Sequence, residues 1–338
     1  MHTQSEPVIR VTELTKRYGD LVAVNGISFE VQRGEVFGIL GPNGAGKTTT
    51  LEMVEGLRQP DAGEIAVDGL PVWPNPRDVK QRIGVQLQAT ALFDYQRLHE
   101  IIYIFGSCYG IHRSKEECVV LLDRVGLSEK AEAFANELSG GQAQRLSIAL
   151  ALVNDPVVTF LDEPTTGLDP RARRALWEVI GEISRDDTTV VLTTHYMEEA
   201  EHLCDRVAVM DLGSIMALDV PRVLITQLGA EATLRFNLSP GVEADALCAL
   251  DGATACRRAD EGYELAATDA QRAVVSLLDF AGAHDLRVQH LDVKGADLED
   301  VFLDMTGRKL TDEDEEAAAL AAASSKKRRR FGLGGGGR

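Results

Sequence analysis

The sequence predicts an α/β protein with a mostly parallel sheet, followed by a small α+β domain. Two observations support the first part: apolar strand-like runs alternate with helical segments up to about residue 228, and a glycine-rich loop follows one of those runs directly. The second part rests on the return of short strands and helices after residue 229. At 338 residues and 44% hydrophobic content, the chain is long enough for two folded units.

The early strands differ in their expected burial. Residues 8–11 and 27–31 mix apolar and polar side chains, whereas residues 36–40 form a continuous apolar run that suits a strand covered on both faces. The glycine-rich loop over residues 41–48 follows that run, and residues 48–57 have a helical pattern. The loop therefore lies at a predicted strand-to-helix junction.

A helical segment then interrupts the strands. From about residue 89 to residue 156 a helical insert is predicted between two halves of the parallel sheet. Strand runs return at residues 157–161 and 189–193, with a crossover helix over 171–184 between them. A further strand pair is predicted within residues 206–217.

The remaining chain divides into a small domain and a tail. Over residues 229–310, strands and helices alternate in an order typical of a ferredoxin-like α+β domain with an extra terminal helix. Residues 311–338 combine an acidic block, alanines, the basic cluster 326–330 and glycines, which predicts a disordered tail. The basic cluster is interpreted as solvated, with contact to anionic lipid as the alternative.

Composition excludes several classes of protein. The formal charge of −18 argues against nucleic-acid binding, because duplex affinity depends on cationic side chains that displace counterions. Five cysteines without C-x-x-C spacing suit a reducing compartment and predict no disulfide framework. Neither a secretory signal nor the roughly 18 consecutive apolar residues of a membrane span is visible, so a membrane role requires a separate anchoring partner.

A phosphate-binding pattern, G-x-x-x-x-G-K-[ST], occupies the loop after the third strand. Its glycines let backbone N–H groups point at phosphate oxygens, and the next helix contributes its positive end. Lys47 is expected to reach the β- and γ-phosphates, and Thr48 and Asp162 to serve a Mg²⁺ ion. The alternative is an ordinary glycine-rich turn. The pattern comprises Gly41, Pro42, Asn43, Gly44, Ala45, Gly46, Lys47 and Thr48.

A second motif follows downstream, where a hydroxyl and exposed backbone N–H groups precede a predicted helix. This signature segment is Leu138-Ser139-Gly140-Gly141-Gln142. With both motifs the chain resembles the ATPase subunit of an ATP-binding-cassette (ABC) transporter. The resemblance implies a P-loop NTPase of ABC type over residues 1–228, with an antiparallel β subdomain beside the parallel sheet. It also implies ATP and Mg²⁺ as cofactors.

The resemblance assigns roles to single residues around the loop. Glu163 becomes the catalytic base that polarises the attacking water, and His195 becomes the switch residue at the γ-phosphate. Gln88 becomes the glutamine that senses Mg²⁺ and the water, with Gln86 as a competitor two positions earlier. Tyr18 matches the aromatic residue that stacks on adenine.

Each assignment has a plainer alternative. In those interpretations Glu163 belongs to a polar strand end, His195 is a structural hydrogen-bonding residue, Gln88 is a surface amide and Tyr18 is a packing residue. The resemblance also implies a catalytic role for Lys47 and adds Thr49 to the expected nucleotide-binding residues.

A dimer is implied by the signature segment. In the family two subunits pack head to tail, so that Ser139, Gly140, Gly141 and Gln142 of one subunit cap the ATP of the other. Asp169 matches the D-loop that runs along this shared interface. A homodimer or a pair of different cassettes is therefore expected in the ATP state.

The branch of the family is suggested by two further segments. Residues 148–156 and 296–308 look like the drug-resistance (daunorubicin-type) branch, although Ala143 and Leu150 depart from the commonest family pattern. That branch implies an integral-membrane ABC-2-type permease on a separate chain, export of a drug-like compound, and a peripheral place on the cytoplasmic face of the membrane. The alternative is a soluble ABC ATPase with a regulatory or non-transport role.

Overall fold

A computed structural model describes residues 6–86, 95–185, 188–228, 232–259 and 262–307. Two compact units divide after Asp219. The boundary predicted from the sequence, after residue 228, is one helix further along the chain than the observed division. The observed division comes earlier because the helix over Pro221–Gln227 packs against the helix over Leu298–Thr306 and so belongs to the second unit. The predicted tail over 311–338 and Gln88 lie outside the described residues.

The first unit contains two sheets and the helices that connect their strands. Its strands are β1 (Ile9–Tyr18), β2 (Leu21–Val31), β3 (Val36–Leu40), β4 (Ala62–Val67), β5 (Leu70–Pro71), β6 (Ile83–Val85), β7 (Val158–Asp162), β8 (Thr189–Thr194), β9 (Arg206–Asp211) and β10 (Ser214–Asp219). Its helices are α1 (Lys47–Val54), α2 (Arg77–Lys80), α3 (Leu98–Cys108), α4 (Lys115–Asp123), α5 (Gly140–Ala151), α6 (Pro170–Arg185) and α7 (Met197–Leu203).

A six-stranded sheet forms the centre of the first unit. Its order is β10-β9-β3-β8-β7-β6, and all neighbours are parallel except β10 and β9. All residues of β3 and β8 are buried, as expected for parallel strands covered on both faces. The predicted mostly parallel core is confirmed. Because β3, β7 and β8 run in the same direction, the segments that follow them meet at one edge of the sheet.

The second sheet of this unit is antiparallel, in the order β2-β1-β4-β5. Alternating burial along β1 turns Ile9 and Val11 towards the core and leaves Arg10 outside, where it pairs with Glu30. The core is continuous between the two sheets, and the rings of Phe29 and Phe37 stack within it at 5.5 Å. This is the expected antiparallel β subdomain.

The expected helical insert lies between β6 and β7. Helices α3, α4 and α5 pack against one another there. A capping box of Ser114 and Glu117 starts α4, because each side chain satisfies a backbone N–H of the other residue. Within the described residues, no helix of the chain is long and apolar enough to cross a bilayer.

The second unit has the predicted ferredoxin-like topology. Its strands pair antiparallel in the order β12-β13-β11-β14, which is the spatial order of a βαββαβ sheet. Leu234, Phe236, Leu265 and Leu277 fill its core. The elements are α8 (Pro221–Gln227), β11 (Ala232–Ser239), α9 (Ala244–Cys248), β12 (Ala253–Ala259), β13 (Gly262–Ala267), α10 (Ala270–Ala283), β14 (Arg287–Gly295) and α11 (Leu298–Thr306).

Candidate functional site

The phosphate loop (residues 41–48) is a closed backbone turn between β3 and α1. Its first N–H, from Gly41, donates to the carbonyl of Thr194 at 3.3 Å, which fixes the loop to the end of β8. Lys47 is 4% exposed, and its Nζ donates to the carbonyls of Gly41 and Pro42 at 2.9 and 3.2 Å. The ammonium therefore lies inside the curve of the loop, where a bound anion would replace some of these contacts.

Glycine is required where the loop enters α1. Gly46 has φ 101°, and a Cβ there would lie 2.4 Å from the carbonyl oxygen of Ala23. No side chain caps the first turn of α1 in this described segment, and that turn carries no acidic residue. Its backbone N–H groups, in the turn that contains Thr48 and Thr49, are thus oriented for an anion at the positive end of the helix.

A hydroxyl and a carboxylate meet beside this helix start. The Thr48 hydroxyl lies 3.2 Å from each oxygen of Asp162, which ends β7. The hydroxyl of Thr193, on β8, also donates to Asp162. Oxygen donors of this kind suit Mg²⁺, which typically takes one or two protein ligands together with phosphate oxygens. Thr48 and Asp162, both predicted metal ligands, are thus brought together.

Glu163 lies next to Asp162 but faces different partners. Its Oε1 is 3.4 Å from Nζ of Lys47 and 3.5 Å from Nδ1 of His195, and its Oε2 accepts from the Thr166 hydroxyl at 3.2 Å. Its backbone has φ 47°, a left-handed conformation that is costly for a residue with a side chain. Burial opposes ionisation, but His195 and Lys47 outweigh it and lower the pKa of Glu163 to about 2. Glu163 is therefore an ionised carboxylate at neutral pH.

The His195 side chain is nearly buried, whereas Tyr18 is exposed. The His195 side chain is 7% exposed, and its ring lies against that of Tyr196 with the ring centres 4.1 Å apart and the planes tilted by 41°. The Tyr18 residue at the end of β1 is 41% exposed, and Lys16 and Arg58 lie 5.8 and 5.4 Å from its ring centre. An exposed ring is accessible to a planar base, and stacking on adenine stays a prediction for Tyr18.

The signature segment makes its hydrogen bonds with its own helix. Ser139 caps α5 by accepting from the Gln142 backbone at 3.4 Å, and the Gln142 side chain accepts from the Ser139 backbone at 3.1 Å. Gly140 is exposed, and a Cβ placed there meets no atom within 4 Å. Asp169 similarly caps α6 by accepting from Ala172 at 2.9 Å. The signature segment therefore places the start of α5 at the protein surface, as a second helix start besides that of α1.

Sequence reasoning missed Thr193. Its hydroxyl contacts Asp162 and accepts from the backbone N–H of Glu163 at 3.0 Å, so one side chain fixes both acidic positions. A hydroxyl at the end of an otherwise apolar strand was the available signal.

Gln86, the competitor of Gln88, is 4% exposed, and its N–H donates to the Phe160 carbonyl at 2.9 Å. Gln86 therefore occupies a buried position against the sheet.

A buried carboxyl group behind α1 predicts an unusual pH dependence of stability. Glu55 is 4% exposed; burial, Asp162 and Glu52 raise its pKa to about 8. The folded state therefore retains a proton that the unfolded chain loses above its ordinary value of 4.5, so stability falls as the pH rises towards 8. Glu55→Gln should remove this loss, which is on the order of 3 kcal/mol at pH 8.

Urea unfolding at pH 5 and pH 8 checks this prediction. We expect Glu55→Gln to match the wild type at pH 5 and to exceed it at pH 8, while Glu64→Gln, at an exposed position of β4, follows the wild type at both. A Glu55→Gln advantage of the same size at both pH values would contradict it, because the gain would then come from packing.

Sequence comparison places this arrangement in a known family. Residues 24–166 match the ABC transporter family. The Nod factor export ATP-binding protein I of Burkholderia lata is 42% identical over 300 residues, which cover 88% of this chain and 96% of that protein. The linearmycin resistance ATP-binding protein of Bacillus subtilis is 35% identical over 312 residues, covering 90% of this chain and all of that protein. The chain belongs to the ATP-binding proteins of ABC transporters.

Solved structures agree with this assignment. The protein cbiO1 from Clostridium perfringens, described as part of an ABC transporter complex, has a TM-score of 0.60 at 28% identity and covers 66% of this chain and 92% of that one. A dimeric ATP-binding cassette in a post-hydrolysis state with ADP and Pi has a TM-score of 0.56 at 25% identity, over 63% and 98% of the two chains. The protein is an ATP-hydrolysing motor subunit of an ABC transporter.

Proposed function

We propose that two cassettes close head to tail around two ATP·Mg²⁺ and that hydrolysis reopens them, driving a separate ABC-2-type permease in export. The observation that carries the ATPase part is the cluster of Lys47, Asp162, Glu163 and His195 at one edge of the parallel sheet. The signature segment supports the dimer, because Gly140 at the start of α5 is exposed and a Cβ there meets no atom within 4 Å, which leaves room for a phosphate held by a second copy.

Phosphate binding is assigned to the loop and to the start of α1. The loop N–H groups and Lys47 would hold the β- and γ-phosphates, and the exposed Tyr18 ring would stack on adenine. Thr48 and Asp162 would hold Mg²⁺, with Gln88 as a further ligand from a segment outside the described residues. Bound there, Mg²⁺ would neutralise charge on the phosphate oxygens.

Glu163 would accept the proton of the attacking water. As the water oxygen bonds to the γ-phosphorus, the bond from that phosphorus to the β-phosphate oxygen breaks, and ADP and phosphate leave. An anion inside the loop competes for Lys47, which in this structure lies 3.4 Å from Glu163. Losing part of that ion pair raises the pKa of Glu163 from about 2 and makes it a better base. His195 then holds the water and the γ-phosphate.

Export is proposed from the names of two relatives. One is a Nod factor export protein and the other a linearmycin resistance protein, and both match this chain over nearly their whole length. A drug, antibiotic or other amphipathic compound is accordingly the proposed cargo, read by the permease. The cassette would lie at the cytoplasmic face of the membrane, held by that permease.

Co-purification and transport assays test this function. We expect the full chain to copurify with an integral-membrane protein encoded beside it, and its ATPase rate to rise when both are placed in proteoliposomes. Lys47→Ala should retain copurification and lose the stimulated rate. If the chain extracted from native membranes carries no bound membrane protein and still hydrolyses ATP at its full rate, the result would instead favour the non-transport alternative.

A further inference from the structure

A buried carboxylate lies one helical turn beyond His195. Glu199 of α7 is fully buried, and its Oε1 accepts from Nε1 of Trp177 on α6 at 3.1 Å. Burying a carboxylate is costly unless partners compensate, so a plain packing position would favour an apolar side chain. The roles proposed so far for the ATPase site do not use this group.

The surroundings of Glu199 connect the elements that border the catalytic cluster. The hydroxyls of Thr165, three residues after Asp162, and Thr194, next to His195, lie beside its carboxyl group. Burial raises the pKa of Glu199, and these hydroxyls, Trp177 and the charge of Arg173 on α6 oppose that rise. Its Oε2 and the Thr165 hydroxyl are both buried without a partner of hydrogen-bonding geometry among the described residues. Such incomplete networks are rare in protein interiors and call for an explanation.

A contact of Arg173 ties helix α6 to the histidine segment, and a hydrogen bond inside that segment continues it to Thr194. The guanidinium carbon of Arg173 lies 4.0 Å from the ring centre of Tyr196, and the N–H of Tyr196 donates to the Thr194 hydroxyl at 2.9 Å. Helix α6 begins at the cap formed by Asp169, in the predicted D-loop. A movement of the D-loop would therefore reach the His195 backbone through α6 and Glu199.

We propose that Glu199 is a positioning residue, which holds the His195 segment in register with the D-loop helix α6 so that His195 reaches the γ-phosphate. This inference rests on the proposed role of His195. In this role Glu199 acts through the histidine and makes no direct contact with the reacting groups. Its loss should lower kcat for ATP and leave KM nearly unchanged, because the substitution leaves Lys47 and the loop N–H groups, which are proposed to hold the phosphates, in place.

Steady-state ATPase kinetics on the full chain test the proposal. We expect Glu199→Ala to lower kcat about tenfold or more with KM within about twofold of wild type, and Glu199→Gln to retain more activity because the amide keeps an acceptor for Trp177. Trp177→Phe, which removes the indole N–H donor and keeps a smaller aromatic ring, should lower kcat less than Glu199→Ala. Glu198→Gln is the matched control, since it makes the same change at a less buried position of α7.

A double-mutant cycle separates positioning from plain stabilisation. In a His195→Ala background, Glu199→Gln should cost less than about twofold further, because the residue through which it acts is already absent. Equal losses in both backgrounds, or a loss that follows the melting temperature alone, would overturn the proposal. Full activity of His195→Ala by itself would instead refute the proposed role of His195. Should Glu199→Ala fail to fold, Glu199→Gln and Trp177→Phe still decide the result.

Discussion

Glu163→Gln should abolish ATP turnover and leave ATP binding intact. The amide keeps the shape of the side chain and loses the ability to accept a proton from water, which lowers kcat by roughly 10²- to 10⁴-fold. Lys47 and Thr48, which would hold the phosphates and the metal, are unchanged by this substitution. With ATP bound and not consumed, the closed pair of cassettes should accumulate, because only hydrolysis removes the contacts of the γ-phosphate.

Size-exclusion chromatography with multi-angle light scattering, run with ATP·Mg²⁺ and again with ADP·Mg²⁺, measures this accumulation. We expect a dimer of Glu163→Gln with ATP only, and a mostly monomeric wild type in both. Asp162→Asn is the comparison variant, because it weakens metal binding at the Thr48 pair and should give neither turnover nor a stable dimer. A Glu163→Gln protein that hydrolyses ATP at the wild-type rate would contradict the assignment of the base.

Much of the fold was predictable from local patterns. The continuous apolar run at β3 and the glycines that follow it leave few alternatives to a buried parallel strand with a loop at its end. The same pattern accounts for Asp162 and His195 at one edge of the sheet, because parallel strands bring their carboxyl ends together. In the second unit, the order of strands and helices was enough to predict the ferredoxin-like topology.

Contacts made across elements could not be predicted in this way. Lys47 lies 3.4 Å from Glu163, and Thr193 fixes both acidic residues, and neither contact has a signal in the spacing of the sequence. The division at Asp219 depends on α8 packing against α11, a long-range contact that a local pattern does not encode. Burial of Glu199 was equally hidden, because a glutamate in a charged helical segment is usually exposed.

Mixing two inactive variants should restore activity if the ATP site is shared between copies. Lys47→Ala removes phosphate binding in one copy. Gly140→Asp places a carboxylate at the signature segment, where it would repel the γ-phosphate held by the other copy. The fold should tolerate this substitution, since a Cβ at Gly140 meets no atom within 4 Å and an acidic side chain favours the first turn of α5. Each variant alone is expected to be nearly inactive.

In a mixed dimer, one site combines Lys47 of the Gly140→Asp copy with the unaltered signature segment of the Lys47→Ala copy. The other site carries both defects. An equimolar mixture with random pairing should therefore regain roughly a quarter of the wild-type ATPase rate if the two sites act independently. Gly282→Asp in place of Gly140→Asp is the control, because it adds the same side chain at an exposed position of α10, where a Cβ also meets no atom within 4 Å, and should remain active. An active Gly140→Asp protein, together with no gain on mixing, would mean that each copy encloses its nucleotide alone.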